Sequence, residues 1–152
     1  MIAYAKERIT TIKDDISFLI QNNYDEVEID TDKLKLMLDW ESYEKLESVE
    51  MLHIYTARLD GKMVGYLVMI TTPSLHCFGE TMASSDVVYV DPKHRCGKVG
   101  THIINYAEKD LHSLGASTMH ITTKAQAPFD KLLERQGFIF AEKVFQKYIG
   151  IK

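Results

Sequence analysis

Residues 88–104 read VYVDPKHRCGKVGTHII, and the order of their parts decides how the chain is built. A β-branched run ends at Asp91-Pro92, a basic loop with two glycines follows, and apolar spacing at helical period begins near Val99. A strand that feeds a helix through so short a loop is the first half of a crossover unit in an α/β sheet. The loop also has a chemical character. A helix N-terminus exposes unpaired N–H groups and a partial positive charge, so it suits an anion. Gly97 and Gly100 remove side chains where a phosphate oxygen would approach, and Arg95 and Lys98 add positive charge beside it. Two phosphate motifs fail here. A P-loop needs glycine where Pro92 stands and Ser or Thr where Val99 stands, and the dinucleotide fingerprint needs one glycine more than Gly97-x-x-Gly100 supplies.

Working outward, 80–90 reads as the strand that enters the loop, and 98–114 as the helix that leaves it, with Val99, Ile103, Ala107, Leu111 and Leu114 on one face and Gly115 as its stop. Residues 116–124 alternate as the returning strand. A short helix at 127–137 has Pro128 near its first turn and Gly137 past its end. Two closing strands are expected at 138–143 and 144–149. Upstream, 52–71 reads as a hairpin turning at Asp60-Gly61, with Pro73 ending its second strand. Helices are expected over 6–23 and 31–48, the latter capped by Thr31 or Asp32. The result is a mixed α/β sheet in one domain covering 1–152, with no repeat or linker.

The chain is long enough for a proper core. A net charge of −4 disfavours non-specific binding to nucleic acid or anionic membranes. The longest apolar run, 63–70, is too short to span a bilayer, and no secretory signal follows Met1. Cys77 and Cys96 form neither a metal-type pair nor a disulfide framework, so a reducing cytoplasm is the expected setting and no metal is expected.

The loop with its strand and helix resembles motif A of the GCN5-related N-acetyltransferase (GNAT) superfamily, Arg/Gln-x-x-Gly-x-Gly/Ala. Arg95 fits its first position and Gly100 its last, while Lys98 stands where glycine is usual. The segment Leu132-Leu133-Glu134-Arg135-Gln136-Gly137-Phe138 is similar to the family's later Leu-Tyr-x-Lys-x-Gly-Phe. From Ile16 onward the chain resembles the acetyltransferase-like proteins often encoded by bacteriophages. It carries in order their Tyr43–Glu47 helix, Thr56-Ala57-Arg58 strand, Leu75-His76 loop, Asp86 strand and Arg95-Cys96-Gly97 loop. The resemblance implies a mostly antiparallel twisted sheet with helices on both faces, in which the fourth and fifth strands, 80–90 and 116–124, form a splayed parallel pair. It implies acetyl-coenzyme A (acetyl-CoA) as cosubstrate and an amine, on a small molecule or a protein side chain, as acceptor. The cytoplasm, that of the host if phage-encoded, is the matching location, and a homodimer is compatible.

The resemblance also assigns roles. Backbone amides of Arg95, Cys96, Gly97, Lys98, Val99, Gly100 and Thr101 would hold the pyrophosphate. Backbone groups of Val88 and Val90 would pair with the pantetheine arm, and the N–H of Val88 or Tyr89 would face the thioester carbonyl. Gln126 stands where many relatives reach the arm with an asparagine, and Lys124 is placed to meet a phosphate or solvent. Strand alternation puts Ser84, Asp86 and Val88 on one face and Ser85, Val87 and Tyr89 on the other. Asp86 lies near the position of a basic carboxylate in many members, making it the first candidate for general base, with an ion pair as the plain structural alternative. His76, a loop histidine suited to proton relay, and Glu80 are further candidates. The tyrosine that usually acts as general acid is Leu133 here, leaving Tyr148 or Tyr89 as substitutes. Two readings compete with an N-acetyltransferase: a coenzyme A-binding protein that has lost catalysis, and an enzyme of this fold with another acyl donor or a nucleobase as target.

Overall fold

The computed structural model describes residues 1–95 and 97–151. Its elements are β1 (Ile2–Glu7), α1 (Ile9–Val27), α2 (Trp40–Ser48), β2 (Leu52–Leu59), β3 (Lys62–Pro73), β4 (Thr81–Val90), a 3₁₀ turn at Pro92–His94, α3 (Val99–Ser113), β5 (Ala116–His120) and α4 (Asp130–Arg135). One sheet carries the strands in the order β1-β2-β3-β4-β5, antiparallel except for the parallel β4–β5 pair. The chain returns to the sheet through α3, the crossover expected from residues 88–104. Helices cover both faces. On one, α3 and α4 pack Ile103, Leu111 and Leu133 onto Tyr55, Leu67 and Met69. On the other, α1 lays Ile9, Ile12, Ile16 and Leu19 over Ile54, Tyr66, Val68 and Tyr89.

Local signals act as expected in the hairpin, where Asp60 and Gly61 both take positive φ (50° and 85°), as a type I′ turn requires. Elsewhere tertiary context decides. Residues 2–7 form a strand that the sequence reading had partly assigned to a helix, because their backbone pairs with β2 from Ile2↔Leu59 to Glu7↔Ile54. The helix expected over 31–48 begins only at Trp40, capped by Asp39, whose carboxylate accepts from the Ser42 N–H at 3.1 Å. Before it the chain turns after Asp30 (φ 57°) and half-buries Leu36 and Leu38 while exposing Met37, a period of two rather than 3.6. Leu114 is exposed, one residue past the end of α3.

The two closing strands do not form. Residues 138–151 have no regular secondary structure, and β5 stops at His120, four residues short of the expected end. Instead of pairing with β5, this segment contacts the turn after α1. The Gln146 amide donates to Asp30 at 3.2 Å, and the Lys33 ammonium lies 5.5 Å above the Tyr148 ring.

Candidate active site

Two irregularities of β4 create the site. The first is a bulge. Met69 pairs with Ser85 and Val68 with Val87, so Asp86 has no partner on β3. The extra residue breaks the alternation read from sequence. Val88 and Val90 pack toward α3, Val87 and Tyr89 toward α1, and Ser84 no longer shares a face with Val88. The second is a fork. Pairing with β5 lasts from Thr81↔Ala116 to Ser84↔His120 and then ends. At the parting point the Ser85 hydroxyl accepts from the Thr122 N–H at 2.9 Å. From there to Val90, β4 turns a backbone edge toward an open cleft.

The cleft, about 440 Å³, runs from Asp86 to the glycine loop. Its walls are β4 from Ser85 to Val90, the loop and first turn of α3 (Arg95, Gly97, Gly100), Thr122, Lys124 and Ala127–Phe129 on the far side, and the end of α1. Gly97 has open space around the position of a Cβ, so no contact among the described residues requires glycine there, whereas a Cβ on Gly100 would meet Leu132 Cδ1 at 3.3 Å. Glycine at 97 therefore keeps the cleft wall bare.

Arg95 is fixed on three sides. Its Nε donates to the Val90 carbonyl at 2.7 Å, its guanidinium makes a two-pronged pair with Glu26 at 2.6 and 2.7 Å, and it lies 5.4 Å from the Tyr89 ring. Those bonds hold the Glu26 carboxyl below its ordinary range. A second bridge, Lys124–Glu28 at 2.7 Å, crosses the cleft nearer Asp86. Asp86 itself has no ion-pair partner among the described residues. Its side chain is exposed at the cleft, while the surrounding walls strip part of its hydration. Burial therefore pushes its pKa up, the Lys124 ammonium pulls the other way, and Glu28 adds to the rise.

This shift has a stability consequence. A folded-state pKa above the unfolded value means the native protein binds the proton more tightly, so Asp86 stabilises below the unfolded pKa of about 3.9 and that contribution is lost as pH rises through the folded value. Asp86→Asn removes the ionised group. Thermal melts should therefore show the variant more stable than wild type at pH 7, with the gap closing below about pH 4.

The other sequence candidates divide clearly. Val88, Tyr89, Val90, Arg95, Gly97 and Gly100 line the cleft together with Asp86. Tyr89 and Val99 have buried side chains, so either offers only its backbone. Lys98 is exposed and faces a separate shallow basic hollow with Lys93, His94 and His102, and the Thr101 carbonyl accepts from Gln136. Cys96 lies outside the described residues. Gln126 is exposed in the turn between Lys124 and Ala127 and does not line the cleft. His76 and Glu80 are exposed in the loop before β4, at its far end from the glycine loop. Glu80 is six residues from Asp86, roughly 20 Å of extended chain. Tyr148 is half-buried against Lys33, away from the cleft, and Leu133 is core. The sequence reading missed the α1 wall: Asn23, Glu26, Val27 and Glu28. Its one visible signal was an asparagine on a stripe of isoleucines and leucines.

The sequence profile described as the acetyltransferase (GNAT) family matches residues 16–138, most of the chain and every element of the cleft. The chain belongs to the GNAT acetyltransferase family. No curated protein matches it. Solved structures share the GNAT fold at low identity. A ribosomal-protein-alanine N-acetyltransferase from Brucella melitensis biovar Abortus 2308 superposes with TM-score 0.71 at 17% identity, each chain covered in full. An aminoglycoside acetyltransferase from an uncultured soil metagenomic sample, in complex with sisomicin, gives 0.76 at 15%, covering 99% of this chain and 97% of that one. A predicted acetyltransferase from Clostridium acetobutylicum, with acetyl-CoA, gives 0.71 at 11%, covering 98% and 97%. The named acceptors differ, so the GNAT fold does not fix the acceptor. Among the described residues no group of three His, Cys, Asp or Glu is placed to hold a metal, and no helix is long and apolar enough to cross a membrane.

Proposed function

We propose that this enzyme transfers the acetyl group of acetyl-CoA to an amine, with Asp86 as general base. The observation that carries the reading is the unpaired edge of β4 between Ser85 and Val90, which leads from Asp86 to the glycine loop at the start of α3. A backbone edge without a partner strand offers N–H and C=O groups to the amides of a pantetheine arm, as a neighbouring strand would. The end of that edge delivers an anion to the N–H groups at the start of α3, where Gly97 and Gly100 leave the approach open. The Val90 carbonyl already accepts from Arg95, so Val88 carries more of the arm's pairing.

Chemistry follows from the other end. An amine arrives as its ammonium ion, and Asp86 takes one proton. The freed nitrogen lone pair attacks the thioester carbonyl carbon and a C–N bond forms; the nitrogen then gives its second proton to water as the carbonyl re-forms and the C–S bond breaks. The N–H of Val88 or Tyr89 stabilises the oxygen while it carries charge. Solvent protonates the departing thiolate, since position 133 carries a buried leucine in place of the usual tyrosine. The raised pKa of Asp86 suits it to the task, because a stronger base takes a proton more readily near neutral pH.

The burial of Leu133 also favours a second reading, a coenzyme A-binding protein without turnover. Both readings share one test. Acetyl-CoA should raise the melting temperature by mass action, about 2.7 kcal/mol of stabilisation at 100 times its Kd. No shift at millimolar ligand would sink both, and a shift without thiol release on an amine panel would leave only the second.

A further inference from the structure

One amine already lies in the cleft. Among the described residues that line it, Lys124 is the one lysine. Its backbone is fixed on the far wall. There the Lys124 carbonyl accepts from the Ala127 N–H at 3.1 Å, and the Thr122 N–H, two residues earlier, is tied to Ser85 on β4. Its tip is on the near wall, where the ammonium meets Glu28 at 2.7 Å. The side chain therefore spans the cleft. Asp86 lies within its electrostatic reach, since Lys124 is the cation that offsets part of the effect of burial there. Stability does not account for the bridge. The Lys124 and Glu28 side chains are 44% and 29% exposed, and pairs this open to water contribute little. A flexible four-carbon stem on so weak a hold leaves the ammonium free to swing off Glu28 toward Asp86.

In the acetyl-transfer reading, on which this inference rests, the same cleft holds the thioester. We infer that Lys124 is a site of self-acetylation: the chain moves an acetyl group from acetyl-CoA to its own Lys124 Nζ when no outside amine occupies the cleft. Asp86 takes one proton from the ammonium, and the freed lone pair attacks the thioester carbonyl carbon. A C–N bond forms. The nitrogen gives its second proton to water as the carbonyl re-forms and the C–S bond breaks, and the thiolate takes a proton from solvent. Lys124 keeps one N–H, as an amide. Tethering favours the step, because a nucleophile held beside the reacting group needs no encounter. The product side chain is neutral. Glu28 then loses its partner, and Asp86 loses the cation that opposed its burial, so its pKa rises further.

The test incubates the full chain with acetyl-CoA and no added amine, and follows acetylation lysine by lysine by peptide mass spectrometry alongside thiol release. Lys45 is the internal comparison. It pairs with Glu41 at the same 2.7 Å, on α2 and outside the cleft, so its rate reports direct chemical acetylation. Lys124 should react about 10²-fold faster than Lys45 or more, the advantage a positioned base confers. Its rate constant should not depend on protein concentration, as a reaction within one chain requires. Asp86→Asn should bring Lys124 down to the level of Lys45 and leave Lys45 unchanged. In guanidinium-unfolded wild type the two lysines should react alike, a comparison that needs no variant to fold. Equal rates at the two lysines in the native chain, a Lys124 rate untouched by Asp86→Asn, or a rate constant that grows with protein concentration would each overturn the assignment. Equal lysine rates together with thiol release on an added amine would remove self-acetylation alone and leave the acetyl-transfer reading standing. No thermal shift of wild type with acetyl-CoA would overturn both.

Discussion

Asp86→Asn should lower kcat by about 10²–10⁴-fold while the Kd of acetyl-CoA stays within a few-fold, the loss expected when a general base is removed without changing its shape. The bulge makes this a clean substitution. Asp86 is the β4 residue without a β3 partner, so its side chain holds no register, and an amide fits the same volume. Its position in the cleft is equally specific, because Asp86 is the one cleft carboxylate without a basic partner among the described residues. The variant's expected gain in stability at pH 7 separates this reading from a structural one, in which loss of the carboxylate would lower stability and activity together. Single-turnover rates followed from neutral pH down to the acid edge of the folded state check the assignment. Wild type should show an acidic limb set by the raised Asp86 pKa, and the variant should lose that limb. A variant that keeps wild-type turnover below the optimum pH would leave deprotonation to water, since His76 and Glu80 lie beyond the far end of the cleft.

The difference between what could and could not be read in the sequence follows chain distance. The β4 strand, the glycine loop and α3 are contiguous, so a strand, two glycines and a helical period sufficed to show the crossover. The hairpin was legible for the same reason, since Asp60 and Gly61 determine their own turn. By contrast, β1 is a strand because β2 lies beside it some fifty residues later. Its own sequence, Ile2–Glu7, alternates too weakly to show it. The bulge at Asp86 depends on β3, and a strand read in isolation keeps perfect alternation. The α1 wall joins the site through Arg95–Glu26 and Lys124–Glu28, which span 69 and 96 residues, and nothing local to Glu26 or Glu28 distinguishes them from solvated charges. His76 and Glu80 drew attention because they precede the β4 strand in sequence. The cleft instead opens toward the opposite end of the strand, where β5 has departed.

Gly100→Glu should weaken acetyl-CoA binding by roughly two orders of magnitude or more and abolish its thermal shift, with the fold intact. Gly100 is in the first turn of α3 and lines the cleft. Among the described residues outside the helix backbone, a Cβ would meet only the terminal methyl of Leu132 at 3.3 Å, which a rotation of that side chain relieves. Helix propensity improves when glycine is replaced, and a carboxylate near a helix N-terminus interacts favourably with the macrodipole, so the free variant should melt no lower than wild type. Binding suffers for two reasons. The side chain fills the approach to the N–H groups at the start of α3, and its charge stands where a pyrophosphate oxygen would. Like charges about 5 Å apart at an effective dielectric near 20 repel by about 3 kcal/mol, more than two decades in Kd. Gly100→Ala isolates the first effect, because it adds the Cβ without the charge and should cost far less. Titration calorimetry at low and high salt completes the test, since the charge component should shrink as ionic strength rises. If the glutamate variant binds acetyl-CoA as wild type does, the first turn of α3 is not the phosphate seat, and the cleft would have to be entered from its Asp86 end.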